Sequence, residues 1–197
     1  MPLPRKDCLY YIIWRIQVMY CGSNKTALTS QKQISEAMLA LLKCKSFADI
    51  SVCEICKEAQ ISRQTFYSLF RSKENVICYE LERNYCFTLH EDCCVESLTL
   101  EELSNAYAAY IESQKDFISL LVENNLMDCM RESICETFMS CSSENTEESE
   151  ADRCFTADFI ASGLTSIAKN YVLFEDSFGP EYLSRMICRL LGGEIFR

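Results

Sequence analysis

Ile50-Ser-Val-Cys-Glu-Ile-Cys-Lys-Glu-Ala-Gln-Ile-Ser-Arg-Gln-Thr-Phe-Tyr-Ser-Leu-Phe-Arg-Ser-Lys-Glu74 reads as two short helices joined by a tight turn. Ser51 followed by Glu54 is a capping box, so a helix starts there, and Ile55 and Ala59 give it an apolar side. Ser62 is an N-cap residue for a second helix, Arg63 to Phe70. Phe66, Leu69 and Phe70 fall at i, i+3 and i+4, one helical face. Arg63, Gln64, Thr65, Tyr67 and Ser68 lie off that face, and such side chains can donate to base edges and phosphates. Ser72 caps a third helix with Lys73 in its first turn, where the helix dipole disfavours a cation. An outside anion, such as a DNA phosphate, would answer that charge.

In this register the segment resembles the helix-turn-helix of the TetR (tetracycline-repressor) family of transcriptional regulators. The residues that carry the resemblance are Ser51, Val52, Ile55, Ala59, Ile61, Ser62, Thr65, Phe66, Tyr67, Phe70, Lys73 and Glu74. Residues 30–80 match well and the rest of the chain more loosely. One departure stands out. Gln60 occupies the place where the family usually has Gly, and a turn with positive φ strains any other residue.

Size and composition fit a folded protein. The chain has 197 residues, 49% hydrophobic and 24% charged, with 5 Gly and 3 Pro, few breakers for a chain of this length. Net charge is −10, which argues against coating nucleic acid, yet the charge is uneven. Residues 30–75 carry seven Lys/Arg against five Asp/Glu, whereas residues 76–197 carry eight against 23. An acidic remainder would repel DNA and orient the basic segment toward it, an effect that salt weakens; acidic solvated faces are also ordinary.

Fourteen Cys without the spacing of a small disulfide scaffold read as reduced, buried thiols acting as small hydrophobes, which suits a cytoplasmic protein. Cys53-Glu-Ile-Cys56 is a lone C-x-x-C, and with a single His, His90, no metal site is expected. Cys93-Cys94 and Cys53/Cys56 are the candidates for thiol redox sensing. No cofactor is expected. The absence of Gly-rich phosphate loops and G-x-S-x-G argues against an enzyme. The first 20 residues imitate a signal peptide loosely, but Arg15 and Gln17 break an apolar run too short to span a bilayer. They allow three readings: a flexible arm, a docked helix, or sequence upstream of a start at Met19.

Hydrophobic periodicity predicts an all-α chain of about nine helices. The expected organisation is an arm over 1–28, a helix-turn-helix head over 29–75 and a helical-bundle body over 76–197. Ser30-x-x-Gln33 predicts the start of a helix reaching Lys45, with Ile34, Met38, Leu41 and Leu42 inward. A long helix is expected from Ser72 to about Cys94. Thr99-x-x-Glu102 opens another, and Phe117–Cys141 reads as helical with a break near Asn124-Asn125. Residues 142–150 read as an acidic loop. Asp152–Phe174 follows, with Phe155, Phe159, Ile160, Leu164, Ile167 and Tyr171 lining one side around Gly163. Gly179-Pro180 opens the last helix, and Gly192-Gly193 stop it.

The resemblance implies function beyond these patterns. It implies a homodimer on a double-stranded DNA operator, a repressor released by a small-molecule effector, with no membrane partner. It assigns DNA contacts to Ser51, Ser62, Arg63, Gln64, Thr65, Tyr67, Ser68 and Lys73. Apolar residues in the body helices, Tyr107, Phe117, Met127, Met130, Phe138 and Phe159, are candidates for an effector pocket. Phe155, Gly163, Leu164, Ile167, Tyr171, Tyr182, Met186, Ile187 and Leu190 are candidates for the dimer interface. The alternatives are a helical partner-binding protein with a degenerate head and a thiol redox sensor.

Overall fold

The computed structural model describes residues 20, 22–84, 99–141, 149–174 and 178–193. His90, Cys93, Cys94, most of the expected arm and most of the acidic loop lie outside the described residues, as does the expected helix beyond Asn84. Among the described residues the chain is all-α. It divides into two compact units, Met1–Arg83 and Asn84–Arg197, so the helix starting at Lys73 clusters with the first unit.

In the first unit, α1 (Lys25–Leu42) starts six residues earlier than a cap at Ser30 implies. Asn24 is its N-cap, with the side-chain oxygen accepting from the Thr26 N–H at 2.9 Å. Ser30 is then an interior residue, and Thr29 turns its hydroxyl back to the Lys25 carbonyl at 2.9 Å. Ile34, Met38 and Leu42 form the buried stripe. A 3-10 turn at Phe47–Asp49 leads into α2 (Val52–Glu58), then α3 (Arg63–Leu69) and α4 (Lys73–Asn84). Helices α1, α2 and α3 pack on one another around Ile55, Phe66, Leu69 and Phe70. Val76, Ile77 and Leu81 of α4 are buried too. The buried Glu80 of α4 accepts from the Ser35 hydroxyl on α1, and Arg83 pairs with the same carboxylate at 3.1 Å.

The second unit contains α5 (Leu100–Ser113), α6 (Lys115–Glu123), α7 (Met127–Cys141), α8 (Glu150–Leu173) and α9 (Pro180–Leu191). The Thr99/Glu102 capping box is present, and a second joins Ser149 to Asp152. The break between α6 and α7 is at Asn125, whose φ is +56°. There the Leu126 N–H reaches the Leu121 carbonyl (2.8 Å) and the Asn125 N–H the Val122 carbonyl (3.2 Å), a Schellman ending with both leucines buried. Helix α8 is the hub, packing on α6, α7 and α9, while α9 also lies along α5.

The buried side of α8 differs from the expected one. Ala157, Ala161, Leu164, Ala168 and Val172 face inward, whereas Phe155 and Phe159 are 78% and 72% exposed. Small side chains let neighbouring helices approach closely, and the larger rings are left outside. Phe159 therefore lines no interior pocket. Tyr107 is fully buried, stacks with Tyr110, and donates its hydroxyl to the Leu164 carbonyl at 3.1 Å. Phe117 and Met130 are core, while Met127 and Phe138 are half-buried. Leu164 and Ile187, both 0% exposed, are core residues of a single copy and are unavailable to a dimer partner.

Candidate nucleic-acid interface

Helix α3 is short, and its position is fixed by its two ends. At its start the Ser62 hydroxyl oxygen accepts from the Thr65 N–H at 3.0 Å, and the two hydroxyls lie 2.9 Å apart. Upstream, Gln60 adopts φ +55°. The Ile61 N–H reaches the Cys56 carbonyl (2.9 Å) and the Gln60 N–H the Lys57 carbonyl (3.3 Å), closing α2 by a Schellman motif. The turn thus keeps the left-handed geometry for which the resemblance expects Gly, and Gln60 carries the strain. At the far end of α3, the Tyr20 N–H donates to the Leu69 carbonyl at 3.2 Å, and the Tyr20 carbonyl accepts from Gln31 on α1 at 2.9 Å. A residue read as part of an arm thereby satisfies a carbonyl that the helix leaves unpaired. No local pattern in the sequence signals this contact.

The eight candidate DNA contacts separate into two groups. Arg63, Gln64, Tyr67 and Ser68 lie together on the exposed side of α3, opposite the buried Phe66, Leu69 and Phe70. Tyr67 is 56% exposed and meets Phe66 edge-on, with ring centroids 5.4 Å apart. The side chains of Arg63 and Gln64 and the Tyr67 hydroxyl make no hydrogen bond or ion pair among the described residues. Three donor groups on the exposed face of α3 thus have no partner among the described residues.

The other candidates have internal work. Ser62 caps α3 and shares a hydroxyl hydrogen bond with Thr65, and Ser68 donates to the Thr65 carbonyl at 2.7 Å. Ser51 donates to Glu54 at 2.7 Å as part of its capping box. Glu54 also pairs with Lys45, a contact across nine residues that the sequence did not suggest. The Lys45 ammonium and the Ser51 donors hold the Glu54 carboxyl down at about 2. The largest difference concerns Lys73. Its ammonium donates to the carbonyls of Phe47 (2.6 Å), Ile50 (3.0 Å) and Ala48 (3.4 Å), so its charge is met inside the head rather than left for a phosphate.

Residues 34–77 match the sequence model of bacterial regulatory proteins of the tetR family. The match to the family is confined to this segment, the helix-turn-helix and its flanks. The TetR-type segment spans the core of α1, the whole helix-turn-helix and the start of α4. The HTH-type dhaKLM operon transcriptional activator DhaS of Lactococcus lactis is 29% identical over 68 residues, 34% of this chain and 36% of the relative. That match spans about a third of the length of the curated relative. Among solved structures, Lin0861 from Listeria innocua is 17% identical, with a TM-score of 0.67 over 90% of this chain and 97% of that one. A TetR transcriptional regulator from Streptococcus agalactiae gives 0.57 at 19% identity, over 85% and 96%. At these identities the likeness is one of fold.

Among the described residues no cluster of three or more His, Cys, Asp or Glu could hold a metal ion. Among them, too, no helix is long and apolar enough to cross a membrane. Of the C-x-x-C pair, Cys53 is exposed and Cys56 buried, and burial pushes the Cys56 thiol up, away from the reactive thiolate.

Proposed function

We propose that this chain is a cytoplasmic, non-enzymatic transcription regulator that binds a DNA operator as a homodimer. In this reading α3 enters the major groove, Arg63 and Gln64 read base edges, and Tyr67 holds the backbone. The observation that carries it is the set of free donors on a helix fixed at both ends. Groups meant for a partner remain unpaired, and the surrounding hydroxyls are spent on holding the helix.

Dimerisation is supported by the outward face of α8. Phe155 and Phe159 stand at one end and Leu173 and Phe174 at the other, with Ser162, Gly163 and Ser166 between them. A Cβ added at Gly163 would meet nothing within 4 Å. An antiparallel crossing with a second copy brings the two aromatic ends together and lets the backbones approach at the centre. Beside this face, Ile167, Tyr171, Phe174, Tyr182, Met186 and Leu190 line an apolar groove of about 280 Å³. Phe155, Gly163, Ile167, Tyr171, Tyr182, Met186 and Leu190 thus stay in the proposed interface.

Repression is the sign proposed, as the family resemblance implies; the DhaS relative is described as an activator, and a reporter assay in cells with and without the chain decides between the two. An effector binding the second unit would weaken DNA binding, and DNA would weaken effector binding by the same factor. Fluorescence anisotropy with duplexes from the DNA upstream of the chain's own coding sequence tests the central reading. Arg63→Ala and Gln64→Ala are each expected to cost about 1–3 kcal/mol and to relax sequence preference. Unchanged affinity and preference in both variants would remove α3 from the groove.

A further inference from the structure

We propose that Lys73 is a positioning residue for DNA binding, one that closes the helix-turn-helix into a ring instead of touching a phosphate. The proposal rests on the DNA-binding reading above and adds what holds the reading surface in shape. An ammonium has three N–H donors and no acceptor. Lys73 has three carbonyl oxygens at 2.6, 3.0 and 3.4 Å, all from the turn between α1 and α2. The Phe47 ring completes the cage, its centroid 4.3 Å from the ammonium.

The path of the chain gives this cage its consequence. The 47–50 turn launches α2 at Ser51; α2 leads through the Gln60 turn into α3, and α3 runs through Phe70–Ser72 to Lys73. Lys73 then returns to the 47–50 turn. The contact fastens the exit of α3 to the entry of α2, so neither helix can swing without breaking it. It also resolves the placement of a cation in the first turn of α4, since three carbonyl oxygens offset the unfavourable dipole. A phosphate could claim this ammonium only by displacing those carbonyls.

The test combines a footprint with a salt titration. The wild-type chain is acylated with acetic anhydride, free and with a 30-base-pair mixed-sequence duplex, and lysine reactivity is read by mass spectrometry. Lys73 is expected to react slowly in both states, whereas exposed Lys57 reacts fast in the free chain. Lys73→Met is expected to lower the unfolding midpoint by roughly 5 °C or more and to weaken duplex binding. The slope of log affinity against log salt should stay at the wild-type value, and Lys73→Arg should recover part of both losses. A slope shallower by about 0.9, the signature of one lost phosphate contact, with an unchanged midpoint would overturn the proposal. So would a Lys73 that reacts freely and is protected only by the duplex. If Lys73→Met does not fold, the wild-type footprint decides alone. Failure of the wild-type chain to bind any duplex would sink the DNA reading itself; binding with a freely reactive Lys73 would sink this proposal alone.

Discussion

Helices α3 and α8 each present one buried face and one exposed face, yet their exposed faces have opposite chemistry. On α3 the outer face holds Arg63, Gln64 and Tyr67, polar tips without hydrogen-bond partners among the described residues. On α8 it holds Phe155, Phe159, Leu173 and Phe174 around small residues. The first suits a hydrated polyanion whose grooves offer acceptors and donors; the second suits an apolar protein surface. Exposure alone therefore does not define a site. What matters is which groups are left unsatisfied, hydrogen-bonding atoms in one case and hydrocarbon in the other.

The comparison can be broken most sharply on α8. Phe155→Glu with Phe159→Glu places like charges in the proposed interface. We expect monomers by analytical ultracentrifugation and a loss of operator affinity of about 10²-fold or more, because each head then binds alone. A variant that stays dimeric would contradict the assignment of that face. Next in size, Leu164→Ala on the opposite side of the same helix should destabilise the fold by about 2–5 kcal/mol in urea unfolding, through an interior cavity. Phe155→Ala should leave the stability of a single copy nearly unchanged. Equal effects of the two would mean that α8 has no outer face.

Within the head, Gln60→Gly relieves the left-handed residue at the turn. A gain of up to about 1 kcal/mol in thermal unfolding is expected, with α3 still competent for DNA. A loss of stability would show that the Gln60 side chain contributes more than its φ costs. The smallest effect is one of pH. Glu54 has its carboxyl lowered from 4.5 to about 2 by Lys45 and Ser51. Its contribution is therefore complete above pH 4.5 and disappears as the pH falls through about 2. Glu54→Gln should flatten that part of the stability profile of the head and lower its plateau at pH 6–8, without adding any slope there.

Legibility followed the range of the interactions. The capping boxes at Ser51 and Thr99, the N-cap at Ser62 and the inward Phe66, Leu69 and Phe70 could be read because each depends on residues within one turn. The start of α1 is not legible locally, because two plausible caps, Asn24 and Ser30, compete and local pattern does not rank them. The inward side of α8 differs from the one its periodicity predicts for a related reason. Its apolar residues run almost all round, and the bulky stripe of Phe155 and Phe159 outweighed the stripe of Ala157, Ala161 and Ala168 that packing chose.

The sequence by itself determined an all-helical chain with a helix-turn-helix whose outer residues are Arg63, Gln64 and Tyr67, because periodicity and capping are local properties. Only the tertiary structure decided that Lys73 serves the head's own carbonyls, that Tyr20 caps α3, and that Phe159 faces outward while Leu164 is core. Those outcomes join residues far apart along the chain. Which partner a side chain meets there depends on how helices pack, and no short stretch of sequence encodes that.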